Sequence, residues 1–123
     1  MNNKKIQSFT DLIAWQEAHS LVLLIFRLTQ KFPREAYSLV DQMRRCVISI
    51  SSNIAEGFSR RSKKEKSQFY YMSLGSTTEL QNQLLIARDL GYLSKKDFSV
   101  IAQDTIQIHK LINGLIKSSR DYT

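Results

Sequence analysis

The sequence predicts an all-α protein, folded as an antiparallel up-and-down four-helix bundle. Three observations lead there. Apolar residues recur every three or four positions along most of the chain, the period of an amphipathic helix. One proline and four scattered glycines supply little punctuation, and Asn113-Gly114 is the lone dipeptide of β-hairpin type. At 123 residues and 42% apolar content, residues 1–123 form one domain able to bury about two-thirds of its unfolded surface.

The first helix runs from about Asp11 to Lys31, with Ala14, Ala18, Leu21, Ile25, Leu28 and Phe32 repeating along one face. Pro33 ends it, because proline pushes the preceding residue out of the α region. The second spans about 34–57, with Leu39, Met43, Val47, Ile50 and Ile54 inward and Gly57 as the residue just past its end. The third covers about 62–90. Ser62 opens it with Glu65 three residues on, a capping box, and Phe69, Leu80, Leu84 and Ala87 form its stripe. The fourth, about 94–118, repeats this start with Ser94 and Asp97, and buries Phe98, Ile101, Thr105, Ile108, Ile112 and Leu115. Connections this short make neighbouring helices antiparallel.

Helices one to three carry more apolar surface than one small bundle needs, the second through Val40, Ile48, Ser51 and Ala55 on a flank beside its core face. Trp15, His19, Leu23 and Phe26 form a second seam on the first helix, and Tyr71, Leu74 and Leu85 form one on the third. These seams predict a homo-oligomer that covers them; the alternative is a broad core stripe with exposed aromatics. A polar seam borders the core of the second helix and includes Arg45, Asn53, Glu56 and Arg60. Glu79, the lone charge between Ser67 and Ile86, is its counterpart on the third. A buried network such as Arg45–Glu79 or Asn53–Glu56–Arg60 would fix one packing register; a solvated face is the other reading.

A net charge of +7 favours a polyanionic partner. Up-and-down connectivity brings the N-terminus, the turn between the second and third helices and the C-terminus to one end. That end holds nine cations (Lys4, Lys5, Arg60, Arg61, Lys63, Lys64, Lys66, Lys117, Arg120) against Asp11, Glu65 and Asp121. The candidate contacts to RNA or DNA phosphates are Arg60, Arg61, Lys63, Lys64 and Lys66, with Tyr70 and Tyr71 near enough to stack on bases or to pack at a subunit boundary.

Other classes find little support. His19 and His109 lack partners at metal-ligand spacing, and there is no phosphate loop, nucleophile elbow or carboxylate dyad, so neither catalysis nor a cofactor or metal is expected. Cys46, the single cysteine, reads as an apolar filler in a reducing cytoplasm. The segment MNNKKIQSF has no apolar h-region. The longest apolar run, Leu21 to Phe26, is far below the ~20 residues a membrane span needs.

The stretches DLIAWQEAH (Asp11–His19), LTQKFPREAYSLVDQMRRCVISISSNIAEGFSR (Leu28–Arg60) and YYMSLGSTTELQNQLLIARDLGYL (Tyr70–Leu93) together resemble the bacterial four-helix-bundle family of 23S ribosomal RNA intervening-sequence proteins. The SIxxNIAEG core is the most distinctive part, with Ser51 where relatives often carry proline and Cys46 where they often carry alanine. The resemblance implies a pentameric ring of four-helix subunits. It extends to the accessory variability determinant of diversity-generating retroelements, which implies a reverse transcriptase and nucleic acid as partners. Three functions therefore compete: a nucleic-acid-binding accessory protein, a scaffold that recruits an enzyme such as a reverse transcriptase, and a structural assembly without nucleic acid.

Overall fold

Ser8 starts the first ordered turn. Its hydroxyl accepts from the Thr10 amide at 3.2 Å, while the Asp11 carboxylate accepts from the amides of Gln7 (2.9 Å) and Ser8 (3.1 Å). This reciprocal capping box closes a separate 3-10 turn, Phe9–Asp11. Leu12 then turns extended, with φ −75° and ψ 129°, so the first helix begins at Ile13 and not at Asp11.

The computed structural model describes residues 5–120, without the side chain of Arg120. Its four helices are α1 (Ile13–Thr29), α2 (Tyr37–Ser59), α3 (Lys63–Asp89) and α4 (Lys95–Arg120), and no strand occurs among the described residues. Each packs on the next, and α4 returns against α1, which closes a four-helix bundle. A 3-10 turn, Arg34–Ala36, leads into α2 after Pro33. The expected charges on Lys4, Arg120 and Asp121 lie outside the described side chains.

The core follows the apolar stripes. Ala14, Ala18, Leu21 and Ile25 meet Met43, Val47, Ile50 and Ile54, and Leu80, Leu84, Ile101, Ile108 and Ile112 complete it. Leu28, Leu39, Phe69, Phe98 and Leu115, also expected inside, are only half-buried. Ser73, Thr77 and Thr105 are buried among them because each hydroxyl donates to a backbone carbonyl: Ser73 to Ile50 across the α2–α3 seam at 2.7 Å, Thr77 to Ser73 and Thr105 to Ala102. Such pairing removes the penalty of burying a polar group.

The helix ends show how local chemistry sets length. Gly91, at φ 82°, takes the left-handed conformation that favours glycine. Its amide bonds Arg88 O at 3.0 Å and that of Tyr92 bonds Ala87 O at 2.9 Å, the two bonds of a Schellman motif. Gly57 behaves differently from expectation. It lies inside α2, buried, and the helix continues to Ser59. A Cβ there would sit 2.6 and 2.8 Å from ring carbons of Tyr70, so this glycine permits close approach of α2 and α3.

Candidate nucleic-acid interface

The turn Arg60–Ser62 joins α2 to α3. Beside it a recess of about 360 Å³ is lined by Ile6, Leu12, Phe58, Arg61, Lys63, Lys66, Tyr70, Leu115, Ser118 and Ser119. The N-terminal segment, the turn and the end of α4 thus meet at one end of the bundle. Lys5, Arg61, Lys63, Lys64 and Lys117 are all exposed there.

The five expected phosphate contacts separate into two groups. Arg61, Lys63 and Lys64 are exposed on the turn and the first residues of α3. Lys66 is turned inward: its Nζ donates to the carbonyls of Phe58 at 2.6 Å and Gly57 at 3.4 Å and lies 5.2 Å from the Phe58 ring. Its short bond supplies a donor to the Phe58 carbonyl in the last turn of α2, while the Gly57 carbonyl also accepts from the Arg60 amide at 3.2 Å; burial pushes the Lys66 ammonium pKa down. Arg60 pairs with Glu56 at 3.0 Å and lays its guanidinium 4.5 Å from the Phe69 ring centre, which holds it along α2. Lys66 and Arg60 shape this end. Tyr70, expected near bases or a boundary, is 3% exposed and packs against Gly57, whereas Tyr71 is half exposed at 50%.

The polar seam forms with different partners from those expected. Arg45 pairs with Asp41 at 3.2 Å, both exposed, because Asp41 stands one helical turn away on the same face. The Arg45–Glu79 pair is therefore not made. Asn53 donates to Ser49 O (2.9 Å) and to Ser49 Oγ (3.0 Å) and is not joined to Glu56. Ser49 Oγ meets Ser76 Oγ at 2.9 Å, and Cys46 Sγ donates to Ser76 O at 3.0 Å. Small hydroxyl and thiol groups stitch α2 to α3 here, while Glu79 stays exposed. Burial, and then the Glu79 carboxylate nearby, push the Cys46 thiol up to about 12, so it is protonated and inert at neutral pH.

The second apolar seams are partly open. Leu23 is 51% and Leu85 41% exposed. Leu74 and Phe26 are half-buried, Phe26 with the Arg44 guanidinium 4.8 Å from its ring centre. Trp15 stacks on exposed His19 at 4.7 Å and meets the Phe9 ring edge-on at 5.3 Å. Ile48, on the expected flank of α2, is exposed, and so is Ile106, which no expected seam contains. Ile106 and Leu85 flank an apolar recess of about 190 Å³ between α3 and α4. Ile106 escaped the sequence reading because α4 was read for a single stripe. Among the described residues no helix is long and apolar enough to cross a membrane, and no three His, Cys, Asp or Glu side chains gather at metal-binding distance.

Comparison with known proteins bears on both fold and family. Five solved chains match. One is a crystal structure of a protein of unknown function from Bacteroides thetaiotaomicron, described as from the S23 ribosomal protein family. It shares 20% identity at a TM-score of 0.80, over 85% of this chain and 96% of that one, a likeness of fold. No curated protein matches. The model of the family described as 23S rRNA-intervening sequence protein matches residues 10–114. That match runs from within the first turn, through α1 to α3, and into α4, and the chain belongs to the 23S rRNA-intervening sequence protein family.

Proposed function

We propose that the protein is a non-enzymatic, cytoplasmic, homo-oligomeric accessory protein that holds RNA or DNA phosphates on its basic end. The observation that carries this reading is the group of exposed cations, Arg61, Lys63 and Lys64, at a turn that shares its end of the bundle with Lys5 and Lys117. Cations so placed bind phosphates and release counterions, giving affinity that is salt-dependent and largely blind to sequence. Cys46, protonated in its buried place, offers no nucleophile, in keeping with a binding role.

The test is a fluorescence-anisotropy titration of single-stranded RNA and duplex DNA between low and moderate salt. Changing Arg61, Lys63 and Lys64 together to alanine lowers affinity and reduces the log–log salt slope by about 2–3, as expected for three lost phosphate contacts. Lys66→Ala lowers thermal stability instead, because it uncaps α2. Unchanged affinity of the triple variant at low salt refutes the reading.

The exposed apolar seams support assembly, with a ring of five as the form that the family resemblance implies. Five times the 14.3 kDa chain is about 72 kDa, the mass expected from light scattering. Leu23→Glu with Leu85→Glu, both on open surface, shifts that mass toward the single chain while leaving helicity intact. The same seams support a second reading, a scaffold that recruits a partner enzyme such as a reverse transcriptase. A monodisperse 14 kDa particle from the unaltered chain would leave these faces to such a partner and remove the ring.

A further inference from the structure

A second recess, of about 720 Å³, lies at the opposite end, where α1 hands over to α2. Its volume falls in the range of small-molecule sites, about 300–1,000 Å³. Phe32 is buried beneath it and Val40 half-buried. On the rim stand Arg34, Arg44 and Tyr37, whose side chain is 76% exposed at the start of α2.

The charges around this recess are unevenly satisfied. Half-buried Arg44 is held by neutral groups: its Nε donates to Thr29 Oγ1 at 3.0 Å and one terminal nitrogen to Phe26 O at 3.4 Å. Its planar group is fixed over Phe26, yet among the described residues no carboxylate lies within ion-pair distance of it or of Arg34. Asp41, the one carboxylate on the rim, is engaged by Arg45. A guanidinium carries five N–H donors, so two cations with donors to give border an apolar floor and an open phenol ring.

We propose that this recess binds a nucleoside monophosphate group, a flat heteroaromatic ring bearing a phosphate. Tyr37 stacks on the ring, and Arg34 and Arg44 hold the phosphate in the forked geometry that guanidinium groups favour. An acidic peptide would use the cations and leave the Tyr37 ring and the apolar floor without a role. The site is independent of the basic turn, because the 23 residues of α2 separate the two by roughly 35 Å at 1.5 Å per residue.

The test is calorimetric titration of the full chain at low salt. The probes are the four ribonucleoside monophosphates, inorganic phosphate, a 5′-phosphorylated tetraribonucleotide and a glutamate-rich peptide. At least one mononucleotide binds saturably and at least tenfold more tightly than inorganic phosphate. Tyr37→Ala and Arg34→Ala, both exposed and expected to fold normally by circular dichroism, each weaken it about tenfold. Changing Arg61 and Lys64 to alanine leaves it unaltered, which separates this site from the phosphate-binding end. Binding of the tetranucleotide alone, with the same sensitivity to Tyr37 and Arg34, supports the site and identifies a strand as its source. Absence of saturable nucleotide binding overturns the proposal. So do equal affinity for inorganic phosphate, indifference to Tyr37→Ala, or tighter binding of the peptide.

Discussion

Gly57→Ala lowers stability by about 2 kcal/mol, even though alanine is the better helix former. An alanine in mid-helix gains about 1 kcal/mol over glycine. Here its Cβ would stand 2.6 and 2.8 Å from Cε1 and Cδ1 of Tyr70 and 3.2 Å from the Lys66 carbonyl oxygen. Tyr70 is 3% exposed and cannot swing aside, so α2 and α3 must part. Overpacking of this kind costs about 3 kcal/mol at the upper end of its usual range, which outweighs the helical gain. For a chain of this length the melting temperature falls by about 8 °C. The same substitution beside Tyr70→Ala, where the ring is gone, is neutral or stabilising, so the pair shows strong non-additivity. A Gly57→Ala protein that melts higher than the parent contradicts the close approach.

Ile50→Ala costs more, about 4 kcal/mol, and Ile50→Val about 1 kcal/mol. Ile50 is fully buried in the α2 stripe, and Ser73 Oγ donates to its carbonyl at 2.7 Å. That bond draws α3 close, and the surrounding helices cannot easily collapse into the space a smaller side chain leaves. Against a total stability of about 5–15 kcal/mol for a domain, such a loss is severe. Urea unfolding measures it directly: the midpoint drops with the slope unchanged. A cost below 1 kcal/mol for Ile50→Ala means that the α2–α3 seam is looser than described.

The four helices were legible because period and punctuation agreed. Ala14, Ala18, Leu21 and Ile25 recur at helical spacing and are all buried, and Gly91 marks a true helix end. Gly57 looked the same in sequence and does another job, since only the position of Tyr70 across the seam distinguishes a stop from a close approach. Ser73 and Thr77 were passed over because a search for apolar stripes does not see hydroxyls that bond to backbone. The candidate interface was legible as a concentration of cations. Which cations stay outward was not, since the inward turn of Lys66 depends on carbonyls eight and nine residues away. The Arg45–Asp41 pair was available at a spacing of four, but a carboxylate on another helix was favoured over one on the same face.

The brevity of the connections has a kinetic consequence. Only three residues separate α2 from α3 and five separate α3 from α4, and most packing joins consecutive helices. Little loop-closure entropy stands in the way of each docking step. Chains dominated by such local pairings reach the native state in microseconds to milliseconds, so a nascent copy hides its oily stripes long before it meets a neighbour.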